Sequence, residues 1–330
     1  MFTVESLQQY PGLVKAFTGV PAEEFWVMVA ALAERWAAYQ QQRQERPDRQ
    51  RAVGGGRRCE QDLALRVAVV LTYLRLHVPQ AVVGALFGTS QAEVSRELRE
   101  VLPALQDCLP CPAVWELISD AAAVPAASVL PLEQAGGGRV LIDATEQRVS
   151  RPGNDATQRR YYSGKKKQHT LKTQIVTDGD HHIRAISTAV PGATHDKPLC
   201  DGLHTLDRLP DGIEADADKG YQGLAASVET VPACDVATRE ERQHPRLTVQ
   251  TPHKKPRGGA LTEAQRQFNR ELGANRIRVE HCLGWLKNWA VLATRFRCAH
   301  DRYTPIMCVI CGLVNAQTAR WQATQRAYSA

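Results

Sequence analysis

No uninterrupted apolar run in this 330-residue chain reaches the roughly 18–20 residues that cross a bilayer, so no membrane-spanning helix is expected. The opening MFTVESLQQY has neither the basic head nor the apolar stretch of a secretory signal. Nine cysteines, an odd number running from Cys59 to Cys311, imply no closed disulfide set, and a reducing, cytoplasmic setting is expected. No internal repeat is visible, and Gly-x-Ser-x-Gly, the setting of a hydrolase nucleophile, is missing. Apolar residues at 43% and charged residues at 23% exclude global disorder, collagen and coiled-coil arrays. What is left is a globular chain of about two domains with enough length to bury a large core.

The net charge of +6 is modest, but its placement is not. Residues 148–172 carry eight basic side chains (Arg148, Arg151, Arg159, Arg160, Lys165, Lys166, Lys167 and Lys172) against Asp155. Positive charge concentrated in this way suits a polyanion, with nucleic acid foremost; a solvated loop is the plainer alternative.

Along the chain, residues 1–39 read as helical, and Gln40–Arg58 as a basic, glycine-ended linker, so 1–58 forms a first segment. Residues 59–119 read as a helical hairpin. Leu63, Leu65, Val67, Val70 and Leu74 make one apolar face; Pro79 suits a helix start, Gly88 a stop and Ser90 the next cap. Helix, short glycine turn and helix make a helix-turn-helix, whose second helix would set Gln91, Ser95 and Arg96 toward DNA; an ordinary helical hairpin is the alternative.

Residues 120–138, rich in Ala, Pro and Gly, mark a boundary. β-type runs follow at 139–143, 170–178, 182–190 and 212–216, with a helix expected near Pro198–Leu209. A final helical region is entered through the capping pair Thr262 and Gln265. The unit is taken as 139–318, with 319–330 as a tail. The fold class expected is α/β: a mixed sheet flanked by helices, preceded by the all-α helix-turn-helix region.

Three acids stand out. Asp143 ends the apolar run Val140-Leu141-Ile142, Asp218 follows a second strand, and Glu280 lies on the final helix. Acids gathered in one place repel unless a cation sits among them, and oxygen donors select hard ions such as Mg²⁺ or Mn²⁺. Taken singly, Asp143 and Asp218 could be turn residues, and Glu280 could pair with Arg276 at helical spacing.

The motifs around these acids narrow the choice. Ile142-Asp143-Ala144-Thr145-Glu146, Tyr162-Ser163-Gly164-Lys165-Lys166-Lys167, Pro191-Gly192-Ala193-Thr194-His195-Asp196 and Ala217-Asp218-Lys219-Gly220-Tyr221 occur in that order. Thr251-Pro252-His253-Lys254-Lys255-Pro256 and Arg276-Ile277-Arg278-Val279-Glu280-His281 complete the series. Together the blocks, spanning roughly 139–316, resemble the catalytic domain of DDE-superfamily endonucleases, the bacterial insertion-sequence transposases (Harbinger-like DDE group).

The resemblance implies a ribonuclease-H-like fold with Asp143, Asp218 and Glu280 as catalytic and metal-ligating acids. It further implies Mg²⁺, replaceable by Mn²⁺, with two ions expected. The reaction would be cleavage at terminal inverted repeats, followed by transfer of the freed 3′-OH to target duplex DNA. A dimer or larger synaptic complex on DNA and a nucleoid-associated location follow from the same resemblance. Asp216 competes with Asp218 for the second position, favoured less because Lys-Gly-Tyr follows Asp218; Asp196 reads as an auxiliary ligand or a helix start. By charge and position, Arg159, Arg160, Lys165, Lys166, Lys167, Lys172, Lys254 and Lys255 are candidate DNA contacts. The alternatives are an inactive DNA-binding derivative and a nuclease for RNA–DNA hybrids.

Two further signals are read as packing. Cys108/Cys111 and Cys308/Cys311 have zinc-ligand spacing, but the second pair sits in an apolar helical run. Trp285 and Trp289, one turn apart, are read as packing, with base stacking as the alternative.

Overall fold

The structure is a computed structural model and describes residues 1–45, 61–120, 124–131, 138–234 and 241–329. The greater part of the linker read at Gln40–Arg58 therefore lies outside the described residues. The chain forms two compact units: Met1–Cys111 with Lys287–Thr294 and Cys298–Ala316, and Pro112–Leu286 with Arg295–Arg297 and Gln317–Ala330. These units cross the boundaries read from composition, because late segments of the chain belong with its beginning.

In the first unit the expected helical stretch is three helices, α1 (Val4–Gln9), α2 (Pro11–Thr18) and α3 (Ala22–Gln44). Pro11 opens the second, and Gly19, left-handed at φ 73°, ends it. Helix α4 (Leu63–Leu76) is capped by Asp62, which accepts the Ala64 N–H at 2.7 Å, and is buried along nearly its whole length. Its apolar residues therefore surround the helix instead of marking one face, as in the centre of a helical domain.

Helix α5 (Gln80–Phe87) starts after Pro79 and stops at left-handed Gly88. Helix α6 (Gln91–Gln106) begins with a capping box in which the Glu93 N–H donates to Ser90 Oγ and the Ser90 N–H donates back to the Glu93 carboxylate. Hydrogen bonds from Thr89 and Ser90 hold that carboxyl down to about 2. The turn is close enough that a Cβ on Gly84 would lie 2.6 Å from the Thr89 carbonyl oxygen.

The second unit is built on a sheet with order β1-β5-β4-β2-β7-β10 among the described residues. Its strands are β1 (Ala113–Trp115), β2 (Arg139–Arg148), β3 (Tyr162–Ser163), β4 (Gln168–Asp178), β5 (Ile183–Ser187), β6 (Val190–Pro191), β7 (Glu214–Ala217), β8 (Thr230–Cys234), β9 (Glu241–Pro245) and β10 (Thr248–Gln250). Strands β2, β4 and β5 form an antiparallel meander; β7 adds parallel to β2, and β10 parallel to β7. Short β3 and β6 pair with the start of β4, and β8 pairs with β9 apart from the sheet. This is the mixed, ribonuclease-H-like α/β arrangement.

The helices of this unit are α7 (Asp155–Tyr161), α8 (Asp196–Gly202) and α9 (Glu263–Lys287). Thr262 and Gln265 cap α9 reciprocally, each backbone N–H donating to the other's side chain. One side of the sheet packs Val140, Ile142, Val176 and Ala185 against Leu199, Leu203 and Tyr221. The helix expected over Pro198–Leu209 starts at Asp196 and ends at Gly202; left-handed His204 separates it from a 3₁₀ turn at Leu206–Arg208. Residues 113–115, read with the helical region, are instead an edge strand paired with β5. Leu130, inside the Ala-, Pro- and Gly-rich stretch, is buried in this unit's core.

After α9 the chain runs through α10 (Ala290–Ala293) and α11 (Tyr303–Ser329), so the expected tail is helical. Cys308 and Cys311 are buried on α11.

Candidate active site

The sheet register sets the site. In the parallel pair β2–β7, Ile142 faces Ala217, so the next residue on each strand, Asp143 and Asp218, reaches the same level. Asp143 does not end its strand: β2 continues to Arg148, paired with β4. Both carboxylates meet Arg276 of α9, whose Nη2 donates to Asp143 Oδ2 at 3.1 Å and whose Nη1 donates to Asp218 Oδ1 at 3.3 Å. The second Asp143 oxygen accepts the Ala144 N–H at 2.7 Å. Burial pushes the Asp143 carboxyl up, opposed by that hydrogen bond and by Arg276, while the charge of Asp218 adds to the rise.

Glu280 is one helical turn beyond Arg276 on α9 and is exposed. Arg276 is thus engaged with the two aspartates and not with Glu280, the pairing that helical spacing alone would suggest. Among the described residues no three His, Cys, Asp or Glu stand close enough together to hold a metal ion. The structure brings two of the three expected acids together and leaves the third a turn away.

The two competing acids are committed elsewhere. Asp216 is fully buried and accepts Arg139 Nη1 at 2.9 Å. Asp196, first residue of α8, accepts Lys172 Nζ at 2.7 Å, and Lys172 also faces Glu146 at 3.7 Å. Glu146 is three residues from Asp143 on one strand and so points to the opposite side of the sheet. A Cβ on Gly220 would collide with the Asp196 carboxylate, which explains the glycine in Lys219-Gly220-Tyr221.

Among the described residues each of these acids shares its cation: Asp196 shares Lys172 with Glu146, Asp216 shares Arg139 with Glu214, and Asp143 and Asp218 share the Arg276 guanidinium. The excess of negative charge in that last pair, carried on oxygen donors alone, fits a hard divalent ion.

Of the basic candidates, Lys172 is the exception. It is buried on a central strand and paired with acids, so it offers no surface contact. Arg159, Arg160, Lys165, Lys166, Lys167, Lys254 and Lys255 are all exposed. The charge of Lys165 reaches Asp143, which ties the basic segment to the acids electrostatically. A cavity of about 460 Å³ beside this segment is lined by Arg151, Gln158, Arg159, Tyr162 and His169. Tyr162 is exposed there and meets the His169 ring edge-on at 5.5 Å. Its position next to a basic run was the signal that charge counting alone passed over.

In the first unit Gln91 and Arg96 are exposed, and Ser95 is half-buried. The Gln91 side-chain amide donates to Gln80 Oε1 at 2.8 Å, across the turn. Of the tryptophans, Trp289 is buried as expected. Trp285 is partly exposed and packs against the rings of His181 and His281, which are themselves stacked.

Residues 142–315 match the family model described as DDE superfamily endonuclease, and residues 62–111 match that described as helix-turn-helix of DDE superfamily endonuclease. The chain is similar to the probable transposase for insertion sequence element IS702 of Microchaete diplosiphon. The two are 27% identical over 264 residues, 80% of this chain and 84% of that protein. No solved structure matches.

Proposed function

The chain belongs to the DDE superfamily of endonucleases, metal-dependent enzymes of the transposase kind with a DNA-binding helix-turn-helix, and on that premise we propose that it cuts and joins the ends of its own element. The observation that carries this reading is the acid pair Asp143 and Asp218, set level by β2 and β7 and bridged by Arg276. Glu280, on the helix that covers the pair, completes the catalytic set.

Asp143, Asp218 and Glu280 would hold Mg²⁺ or Mn²⁺, two ions in all, supplying positive charge to the attacking and leaving oxygens of an in-line phosphoryl displacement. The residues of the chain do the positioning. Arg159, Arg160 and Lys165–Lys167 draw the phosphate backbone toward the acids, with Lys254 and Lys255 as a second exposed basic pair. The Tyr162 ring, which lines the same cavity as Arg151 and Arg159, offers a stacking surface for a base of the strand being cut. Gln91, Ser95 and Arg96, on the early turns of α6, read the terminal inverted repeats in the major groove. Two ends must be processed together, so the working form is a dimer or a larger synaptic complex.

The test is incubation with DNA carrying the element's two ends and Mg²⁺ or Mn²⁺, beside Asp143→Asn. The expected result is cuts at the repeat boundary, mapped to the nucleotide, that vanish in the variant. Cleavage unchanged by Asp143→Asn, Asp218→Asn and Glu280→Gln alike would overturn the reading.

A further inference from the structure

Among the described residues Arg276 is the cation that touches both aspartates, and it does so through longer contacts than those of the other bridging arginines, Arg66 and Arg139. Arg184, in the same unit, places Nε and Nη2 on one oxygen of Asp178 at 2.7 and 2.6 Å. Arg276 instead divides its fork between two residues at 3.1 and 3.3 Å. Its Nε is buried without a hydrogen-bond partner. A planar guanidinium satisfies a carboxylate best through two parallel hydrogen bonds. Here it spans two carboxylates and leaves one of its own donors unmet, an arrangement that screens charge while meeting neither acid fully.

We propose that Arg276 is the internal counter-ion of the acid pair, competing with a divalent cation for the facing oxygens of Asp143 and Asp218. This rests on the reading that those acids hold the metal. Without a positive charge between them the two carboxylates would repel and α9 would lose its polar anchor to the sheet. With Arg276 in place they are kept level, and an arriving cation must displace the guanidinium before it can engage both. Arg276 is a positioning residue in this scheme, and it lowers the apparent affinity for metal while stabilising the fold.

That combination separates it from a purely structural residue, whose loss would weaken folding and metal binding together. The experiment is a Mn²⁺ titration of the full chain, followed by the electron paramagnetic resonance signal of free Mn²⁺, with thermal unfolding in EDTA alongside. Removing a charge-assisted competitor predicts that Arg276→Gln binds Mn²⁺ about tenfold more tightly, while its unfolding midpoint in EDTA falls. Arg276→Lys, which keeps the charge but cannot span two carboxylates, is expected between Arg276→Gln and the unaltered chain. It also supplies the result if the glutamine variant does not fold.

Arg278→Gln, the same charge change two residues along α9, should leave affinity within about twofold. Unchanged or weaker Mn²⁺ binding in Arg276→Gln or Arg276→Lys overturns the proposal, as does an equal gain in Arg278→Gln. Asp143→Asn separates the two levels of the argument. If it abolishes Mn²⁺ binding while the Arg276 variants show no gain, the counter-ion role alone is wrong. If it leaves Mn²⁺ binding intact, the acids are not the metal site, and the functional reading falls with the proposal.

Discussion

Each unit of this molecule contains an arginine that bridges two acids, and the two bridges are built differently. In the helical unit Arg66 donates through Nε to Glu97 and through Nη2 to Glu100, both at 2.6 Å, with its guanidinium 4.8 Å from the Trp36 ring centre. In the sheet unit Arg276 reaches Asp143 and Asp218 at 3.1 and 3.3 Å and leaves Nε without a partner. The side chains of Arg66, Glu97 and Glu100 are 6%, 3% and 19% exposed, against 12%, 18% and 33% for Arg276, Asp143 and Asp218. The first bridge is short and covered on its aromatic side; the second is long, open and underdetermined. A charge cluster whose task is to hold helices together can be closed, whereas one that must exchange a cation has to stay accessible.

The largest effect expected from this contrast concerns reaction rate. Asp143→Asn or Asp218→Asn should reduce DNA cleavage by about 10³-fold or more, with the circular dichroism spectrum unchanged. A full loss of structure in either variant would make the open bridge as structural as the closed one.

Next in size is stability. Arg66→Ala leaves buried Glu97 and half-buried Glu100 without their guanidinium and should cost about 3 kcal/mol in chemical denaturation of the helical unit. Arg276→Gln, at the more exposed bridge, should cost about 1 kcal/mol or less. Equal losses would erase the distinction between the two clusters.

Binding effects are smaller. Arg96→Ala should weaken DNA binding a few-fold and lower the slope of log affinity against log salt by about 1 if Arg96 contacts a phosphate. A fluorescence-anisotropy titration at several salt concentrations reads both. Tyr162→Ala should weaken single-strand binding by about 1 kcal/mol, with little change in that slope, if its ring stacks on a base. A large change in slope would point to lost charge contacts instead.

The smallest effect is on pH dependence. Burial raises the Glu97 carboxyl above its ordinary 4.5, despite Arg66 pulling it down. The folded state therefore holds the Glu97 proton more tightly than the unfolded chain, and this group's contribution to stability falls as pH rises upward from about 4.5. Glu97→Gln should flatten that slope, by about 2 °C in unfolding midpoint between pH 4 and pH 6. Glu93, held down to about 2, acts in the opposite sense: its contribution is present above 4.5 and is lost as pH falls toward 2.

Much of the architecture was legible because its local signals agree. Gly88 and Ser90 with Glu93 define one turn, and Thr262 with Gln265 opens α9, because caps are local hydrogen bonds between residues three apart. The register of Asp143 with Asp218 was legible only as an expectation from the motifs around them, since it depends on a parallel pairing between strands more than sixty residues apart in sequence. The apolar run ended at Asp143, but β2 continues through Thr145 and Gln147, because β4 supplies hydrogen bonds that hydrophobicity does not report.

Lys172 misled for a related reason. Counted as charge it belongs with Lys165–Lys167, yet it sits in the stretch of β4 from Thr170 to Asp178 that is buried throughout, and a lysine there must find acids. Arg276 was passed over as a mere helical neighbour of Glu280, because spacing along one helix reveals nothing of what the sheet presents to it.

The N-terminal helices have one more lesson, in the order of synthesis. Tyr73 on α4 hydrogen-bonds with Cys298, His77 with Thr294, and Arg75 donates to the Asn288 carbonyl. Asn315 donates to the Pro110 carbonyl at 3.0 Å. The helix-turn-helix unit is therefore completed by residues that leave the ribosome only after the whole sheet has been made. A chain stopped before Cys298 lacks the pieces that close its DNA-reading half, so translation must run well past the sheet before either half of the molecule can be finished.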